Sequence, residues 1–108
     1  MAKFVLLYRG NATPMEQLSE SDAAEVLRKW QAWSTEHGDA VLDINPFGAS
    51  VSVAADGAVR RPTTLQGHTI VEAENLEAAQ RFCDAHPFYD GAEPGSVIDV
   101  FEAMPMPY

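Results

Sequence analysis

The segment Gly67–Phe88 constrains the fold of this chain more than any other part of its sequence. It opens with His68–Ala73, whose β-branched residues are typical of a buried strand. Asn75 follows, and its side chain can accept a hydrogen bond from the free N–H groups of a helix start. Apolar residues then recur at helical spacing on one face as far as Cys83. Because Pro87 ends this pattern, the segment predicts a strand, a capped helix and a helix stop in that order.

Another strand and helix are predicted at the beginning of the chain. Phe4–Tyr8 is a short apolar run with turn residues after it, which is typical of a central strand covered on both faces. Ser19 can cap a helix, with Asp22 at the capping-box position, and Gly38 ends that helix beside His37. Five apolar residues lie on one stripe of this long amphipathic helix: Ala23, Val26, Leu27, Trp30 and Trp33.

The remaining strand signals complete a mixed fold. Ala40–Ile44 predicts a strand, and Ser96–Phe101 alternates as the last one. Between them, Ala49–Ala54 and Ala58–Arg60 flank Asp56–Gly57, which is the strongest short hairpin signal in the chain. The order of elements predicts the α+β class, as a ferredoxin-like βαββαβ sandwich with a β-hairpin insertion.

Such a sandwich carries both helices on one face of its sheet and leaves the other face uncovered. Alternate apolar residues, among them Val5, Leu7, Val71 and Val97, are expected on the uncovered face. A contiguous apolar patch of this kind usually marks an interface. We therefore expect a homodimer that pairs sheet against sheet.

Charge and composition limit the partners. The formal net charge of −9 opposes binding to nucleic acids and to anionic membrane surfaces. No apolar run approaches the ~20 residues that a membrane-spanning helix needs. The single cysteine, Cys83, excludes an internal disulfide and favours a reducing, cytoplasmic location. The 108 residues, with 46% hydrophobic content, predict one domain over residues 1–108.

Several short strings resemble the YCII-related family, including its group that carries a DGPF motif. The strings are Lys3–Tyr8, Gln17–Ser19, Ala55–Gly57, Gly67–Val71, Asn75–Ala79 and His86–Phe88. Together they span nearly the whole chain. The resemblance implies a homodimer of the dimeric α+β barrel type, with a pocket for a small molecule between the sheet and the helices.

The sequence departs from that family at two places that bear on catalysis. Family members proposed to be enzymes have a histidine in the first helix, paired with an aspartate, whereas Arg28–Trp33 contains no histidine. Where the DGPF group has its Asp-Gly-Pro-Phe loop, this chain has Arg60–Gln66, which is shorter and of opposite charge. No catalytic residue is therefore transferred from the family.

The three histidines are the candidates for acid–base chemistry. His37 lies at a helix end, where a cation interacts favourably with the helix dipole. His86 precedes Pro87 in a helix stop and suits a capping role better than catalysis. His68 begins a central strand and can face the pocket, so it is the candidate catalytic residue, with a structural or solvent-facing role as the alternative. The histidines and the lone cysteine have no metal-ligand spacing, so no metal and no cofactor are predicted.

Two tryptophans and a tyrosine are the candidate ligand-binding residues. Trp30 and Trp33 are three positions apart, so both can lie over the sheet, either as core or as the wall of a pocket for a flat ligand. Tyr8 is expected near the mouth of that pocket. With His68 as the acid or base, this equipment suits lyase- or isomerase-type chemistry. The alternatives are a non-catalytic ligand-binding or regulatory module and an accessory dimer that serves a protein partner.

Overall fold

The computed structural model describes residues 1–10, 17–60, 64–90 and 92–108. The strands are β1 (Ala2–Arg9), β2 (Val41–Pro46), β3 (Ser52–Val53), β4 (Val59–Arg60), β5 (Leu65–Ala73) and β6 (Val97–Ala103). The helices are α1 (Glu20–His37) and α2 (Leu76–Gln80), and short 3-10 turns cover Gly38–Ala40, Arg81–Cys83 and Pro87–Tyr89. Part of the predicted turn after the first strand, at position 11, and parts of two predicted loops, at positions 61–63 and 91, lie outside the described residues.

Four strands form an antiparallel sheet in the order β2-β5-β1-β6, and β3 and β4 form a separate two-stranded hairpin. Strand β1 lies at the centre, with Leu6 opposite Thr69 of β5 on one side and opposite Val100 of β6 on the other. The predicted α+β class and the predicted hairpin are confirmed. The strand order is compatible with a ferredoxin-like fold.

Both helices begin at the caps that the sequence predicts. The Ser19 hydroxyl accepts a hydrogen bond from the Asp22 backbone N–H at 3.1 Å. The Asn75 side-chain oxygen accepts one from the Ala78 N–H at 2.8 Å. At its other end α1 stops at Gly38, whose φ of 56° is unfavourable for residues with a side chain. Neither helix of the described ranges is long and apolar enough to cross a membrane.

The second helix is shorter than the sequence predicts. It ends at Gln80, and the chain continues as a 3-10 turn over Arg81–Cys83 before it reaches Pro87. Ala85 then adopts φ 51°, in the left-handed region, where a right-handed helix cannot continue. The predicted α-helix therefore ends before Pro87, because 3-10 and left-handed turn geometry replace its last residues.

The helices cover one face of the sheet, which we call the covered face. Its core consists of Phe4, Leu6, Tyr8, Trp33, Val71, Ala73, Ala79 and Phe88. Val71 is fully buried there, opposite Phe4, so the expectation that it lies on the uncovered face is wrong. The reason is the alternation of β5, which turns Thr69, Val71 and Ala73 to the helices.

The opposite side of the sheet is the open face. It consists of Lys3, Val5, Leu7, Arg9, Asp43, Asn45, His68, Ile70, Glu72, Val97, Asp99, Phe101 and Ala103. Val5 lies between Ile70 and Phe101 in an apolar row, and the Phe101 side chain is 54% exposed. At one border Arg9 pairs with Asp99 at 2.9 Å. The expectation that Val5, Leu7 and Val97 lie on the face of the sheet away from the helices is confirmed.

Candidate functional site

The three predicted ligand-binding residues meet on the covered face, and His86 lies at their centre. The His86 ring centroid is 4.3 Å from that of Trp33, 4.9 Å from that of Trp30 and 5.1 Å from that of Tyr8. Phe88 completes the group, 5.0 Å from Tyr8. We call these five side chains the aromatic cluster.

Different elements bring the rings into the aromatic cluster. Tyr8 is the last residue of β1 to face the helices, two positions after Leu6. Trp30 and Trp33 are nearly one turn apart on α1, so both lean toward the sheet. The Trp33 indole N–H donates to the Phe82 carbonyl at 3.1 Å, which ties α1 to the turn that follows α2. As a result Trp33 is only 4% exposed, whereas Trp30 is half-buried at the rim.

His86 is held by hydrogen bonds at both ring nitrogens. Its Nδ1 accepts from the Phe88 backbone N–H at 3.0 Å, which assigns the proton of the neutral ring to Nε2. That nitrogen lies 2.8 Å from the Tyr8 hydroxyl, so it donates there. The Tyr8 hydroxyl in turn lies 2.6 Å from the Thr69 hydroxyl and donates to it. His86 does cap, but it caps the start of the 3-10 turn Pro87–Tyr89 and not the end of the second helix, where the sequence predicts its capping role. The chain of hydrogen bonds on its other side is a finding of the structure.

Burial keeps the two titratable groups of this chain of hydrogen bonds neutral. Burial, together with a smaller contribution from nearby His37, lowers the pKa of His86 to about 4. Burial also raises the pKa of Tyr8 well above its ordinary value, although the hydrogen bond with Thr69 acts in the opposite direction. At neutral pH the arrangement can therefore orient a polar group or hold structure, but it carries no charge.

His68 lies on the open face, on the other side of the sheet from both tryptophans. It stands opposite Leu7 on one neighbouring strand and Asn45 on the other. Its ring centroid is 5.5 Å from that of Phe47, and its Nε2 is 3.9 Å from a carboxylate oxygen of Asp43. The structure therefore does not bring His68 together with the predicted ligand-binding residues. Successive side chains of a strand point to opposite faces, and it is the neighbour of His68, Thr69, that lies on the covered face.

The surroundings of His37 and Cys83 indicate structural roles. His37 ends α1, and its ring centroid lies 4.6 Å from that of Phe82. Cys83 is half-buried, and burial raises the pKa of its thiol, which disfavours the reactive thiolate. One local signal could have identified His86 as the central histidine: it directly precedes two apolar residues, Pro87 and Phe88, that are buried with it.

Two shallow grooves run along the outer side of the aromatic cluster, between α1 and the segment 85–90. Their volumes are about 240 Å³ and about 260 Å³, below the range usual for ligand pockets. Both are lined by Lys29, Pro87 and Asp90, and the Lys29–Asp90 ion pair of 3.3 Å lies where they meet. Neither groove is lined by Tyr8 or His86. Across the described ranges, no group of three or more acidic, histidine or cysteine side chains is arranged to hold a metal ion.

No family model and no curated protein matches this chain. The resemblance to the YCII-related family accordingly stays an expectation that rests on the quoted sequence strings.

Proposed function

We propose that this protein is a YCII-like, cytoplasmic homodimer of the dimeric α+β barrel type that binds a small molecule without acting on it. One observation carries the non-catalytic part: both nitrogens of the imidazole at the centre of the aromatic cluster are already hydrogen-bonded within the protein. A general acid or base needs a nitrogen within reach of the substrate. His86 offers none in this arrangement, and His68 is on the wrong side of the sheet for the tryptophans.

The composition of the open face supports a second copy as its cover. An apolar row of Ile70, Val5 and Phe101 lies across three neighbouring strands. Charged side chains of both signs lie around it, including Lys3 and Glu72. An apolar centre with a polar rim is the usual anatomy of a protein interface. Because both signs are present on one face, two copies related by a two-fold axis can place opposite charges against each other.

The dimer is tested by the variant Phe101→Glu. Phe101 is 54% exposed on the open face, so a carboxylate there should leave the fold intact and place two unpaired charges in the interface. We expect wild type to sediment as a dimer at micromolar concentration and Phe101→Glu as a monomer. Leu27→Glu is the matched control, since Leu27 is similarly exposed, at 61%, on helix α1. A monomeric wild type would refute the proposed dimer.

The small-molecule role is tested by native mass spectrometry of the freshly purified protein. Trp30 is the half-buried ring of the aromatic cluster, and we expect it to form the contact surface for a flat, apolar molecule. Wild type and His68→Ala should retain such a molecule, and Trp30→Ala should lose it. Retention by Trp30→Ala together with loss from His68→Ala would overturn this assignment of the site.

Lyase- or isomerase-type chemistry is a second candidate, and one observation favours it. The neutral imidazole of His86 and the Tyr8 hydroxyl are hydrogen-bonded at 2.8 Å, and such a pair can move a proton if a ligand displaces part of the aromatic cluster. Conversion of the retained molecule by wild type, but not by Tyr8→Phe, would favour this candidate over simple binding.

A further inference from the structure

We infer that residues 85–90 form a strap over the aromatic cluster, which is displaced by a flat ring that carries an N–H donor, such as an azole. The inference rests on the proposed small-molecule role. The strap supplies two of the five rings of the cluster, His86 and Phe88. Both are buried together with Pro87, so the interior of the cluster is closed. A ligand that contacts more than the half-buried Trp30 must therefore move an element that carries one of the rings.

The strap is the element that moves most easily, because its own backbone hydrogen bonds are local. The Tyr89 N–H donates to the His86 carbonyl at 3.1 Å, and the Asp90 N–H donates to the Pro87 carbonyl at 3.0 Å. Strand β1, by contrast, is hydrogen-bonded to β5 on one edge and to β6 on the other, and helix α1 is anchored by the buried Trp33. The strap can thus swing as a unit and keep these bonds, in the manner of other local openings in folded proteins.

Ala85 is the pivot of the strap. Among the described non-glycine residues it alone has a positive φ, 51°, and this left-handed conformation is unfavourable for a residue with a Cβ atom. One backbone hydrogen bond spans the pivot, from the His86 N–H to the Cys83 carbonyl at 3.2 Å. A rotation that opens the strap gives up this bond and can relieve the strain at Ala85, so the two effects oppose each other.

The strap is tied to its surroundings by side chains. Lys29 of α1 pairs with Asp90 at 3.3 Å, and both side chains are exposed. An exposed ion pair of this kind contributes little to stability. The Tyr89 side chain is hydrogen-bonded to the Ile98 backbone. The two shallow grooves run between α1 and the strap, so this seam is less closely packed than the core beneath it.

The hydrogen bonds of the closed cluster determine what a displacing ligand must carry. The Nδ1 atom of His86 is occupied by a backbone N–H, so Nε2–H donates to the Tyr8 oxygen, and Tyr8 donates its own proton to Thr69. When the strap opens, the Tyr8 oxygen loses its donor, and an N–H of the ligand restores it. A planar ring also restores the contacts that the imidazole makes with Trp30 and Trp33.

The ligand class is tested with benzimidazole, and 1-methylbenzimidazole is the matched control because it is the same flat ring without the N–H. Trp30 and Trp33 are the only two tryptophans of the chain, so intrinsic fluorescence reports on the cluster itself. We expect a saturable fluorescence change with benzimidazole and an affinity roughly tenfold higher than that of the methylated ring. Equal affinities, or no binding of either compound, would overturn the assigned ligand class.

The strap itself is tested without a ligand, by acrylamide quenching of the same fluorescence. Lys29→Glu turns the ion pair with Asp90 into a repulsion, and we expect it to raise the quenching constant at least twofold over wild type. Arg28→Glu is the matched control, since it makes the same charge change on the same helix but its partner, Glu25, also belongs to α1. Both positions are exposed, so both variants should keep the wild-type circular dichroism spectrum.

Equal quenching of wild type, Lys29→Glu and Arg28→Glu would overturn the strap. Retention of a small molecule by wild type in native mass spectrometry, together with that result, would leave the small-molecule role standing and restrict its site to the exposed part of Trp30.

Discussion

Acidification from pH 7 to pH 4 should lower the free energy of unfolding by about 3 kcal/mol through His86 alone. Its pKa is about 4 in the folded protein and 6.5 in an unfolded chain, so the unfolded state binds a proton first. The stabilising contribution is complete above pH 6.5 and is lost as the pH falls through that window toward 4. The main cause is burial, which disfavours the charged imidazolium, and a protonated Nδ1 can also no longer accept the Phe88 N–H bond.

Denaturant unfolding at a series of pH values measures this loss. His86→Gln removes the titrating group, so its stability should change less steeply than that of wild type between neutral pH and pH 4. His68→Gln is the matched control, because it removes a histidine from the open face and should keep the wild-type slope. Equal slopes for wild type and His86→Gln would show that His86 is not the group that couples folding to pH.

Trp33→Ala should destabilise the fold by about 3 to 5 kcal/mol, the range for truncation of a large buried aromatic residue. Trp33 is only 4% exposed, so its loss leaves a cavity under α1. The change also removes the indole N–H that the Phe82 carbonyl accepts at 3.1 Å, and with it the tie between α1 and the turn after α2.

Trp30→Ala provides the comparison, since both tryptophans lie on the same helix and in the same aromatic cluster. Trp30 is half-buried, so its truncation to alanine should lower the free energy of unfolding by clearly less than the truncation of Trp33 does. Urea unfolding of both variants, followed by circular dichroism, measures the difference. Equal losses would mean that the rim and the interior of the aromatic cluster contribute alike, contrary to their exposure.

Local features of the fold were predictable because their causes lie within a few residues of each other. Ser19 and Asn75 cap helices through the N–H groups three positions later. Gly38 ends α1, and Asp56–Gly57 forms the tip of the hairpin. In each of these cases the residue that determines the cap or turn and the backbone groups that it affects are neighbours in the sequence.

The side of the sheet on which a residue lies was not predictable in the same way. His68 and Val71 belong to a strand with β-branched residues at both parities, so alternation alone allowed either assignment. The central place of His86 depends on Tyr8, a partner 78 positions away along the chain. The hydrogen bond between His86 and Tyr8 was therefore not predictable from local sequence pattern.

The central position of β1 also dictates when this protein can fold during its synthesis. Its two neighbours, β5 and β6, begin at Leu65 and Val97, so β1 leaves the ribosome long before either one. Until then both edges of an apolar strand are without their native partners, and such edges promote aggregation. Emergence of α1 alone cannot cover them. The nascent chain thus depends on delayed closure of its sheet, and a chaperone that shields the first strand should increase the yield of native protein.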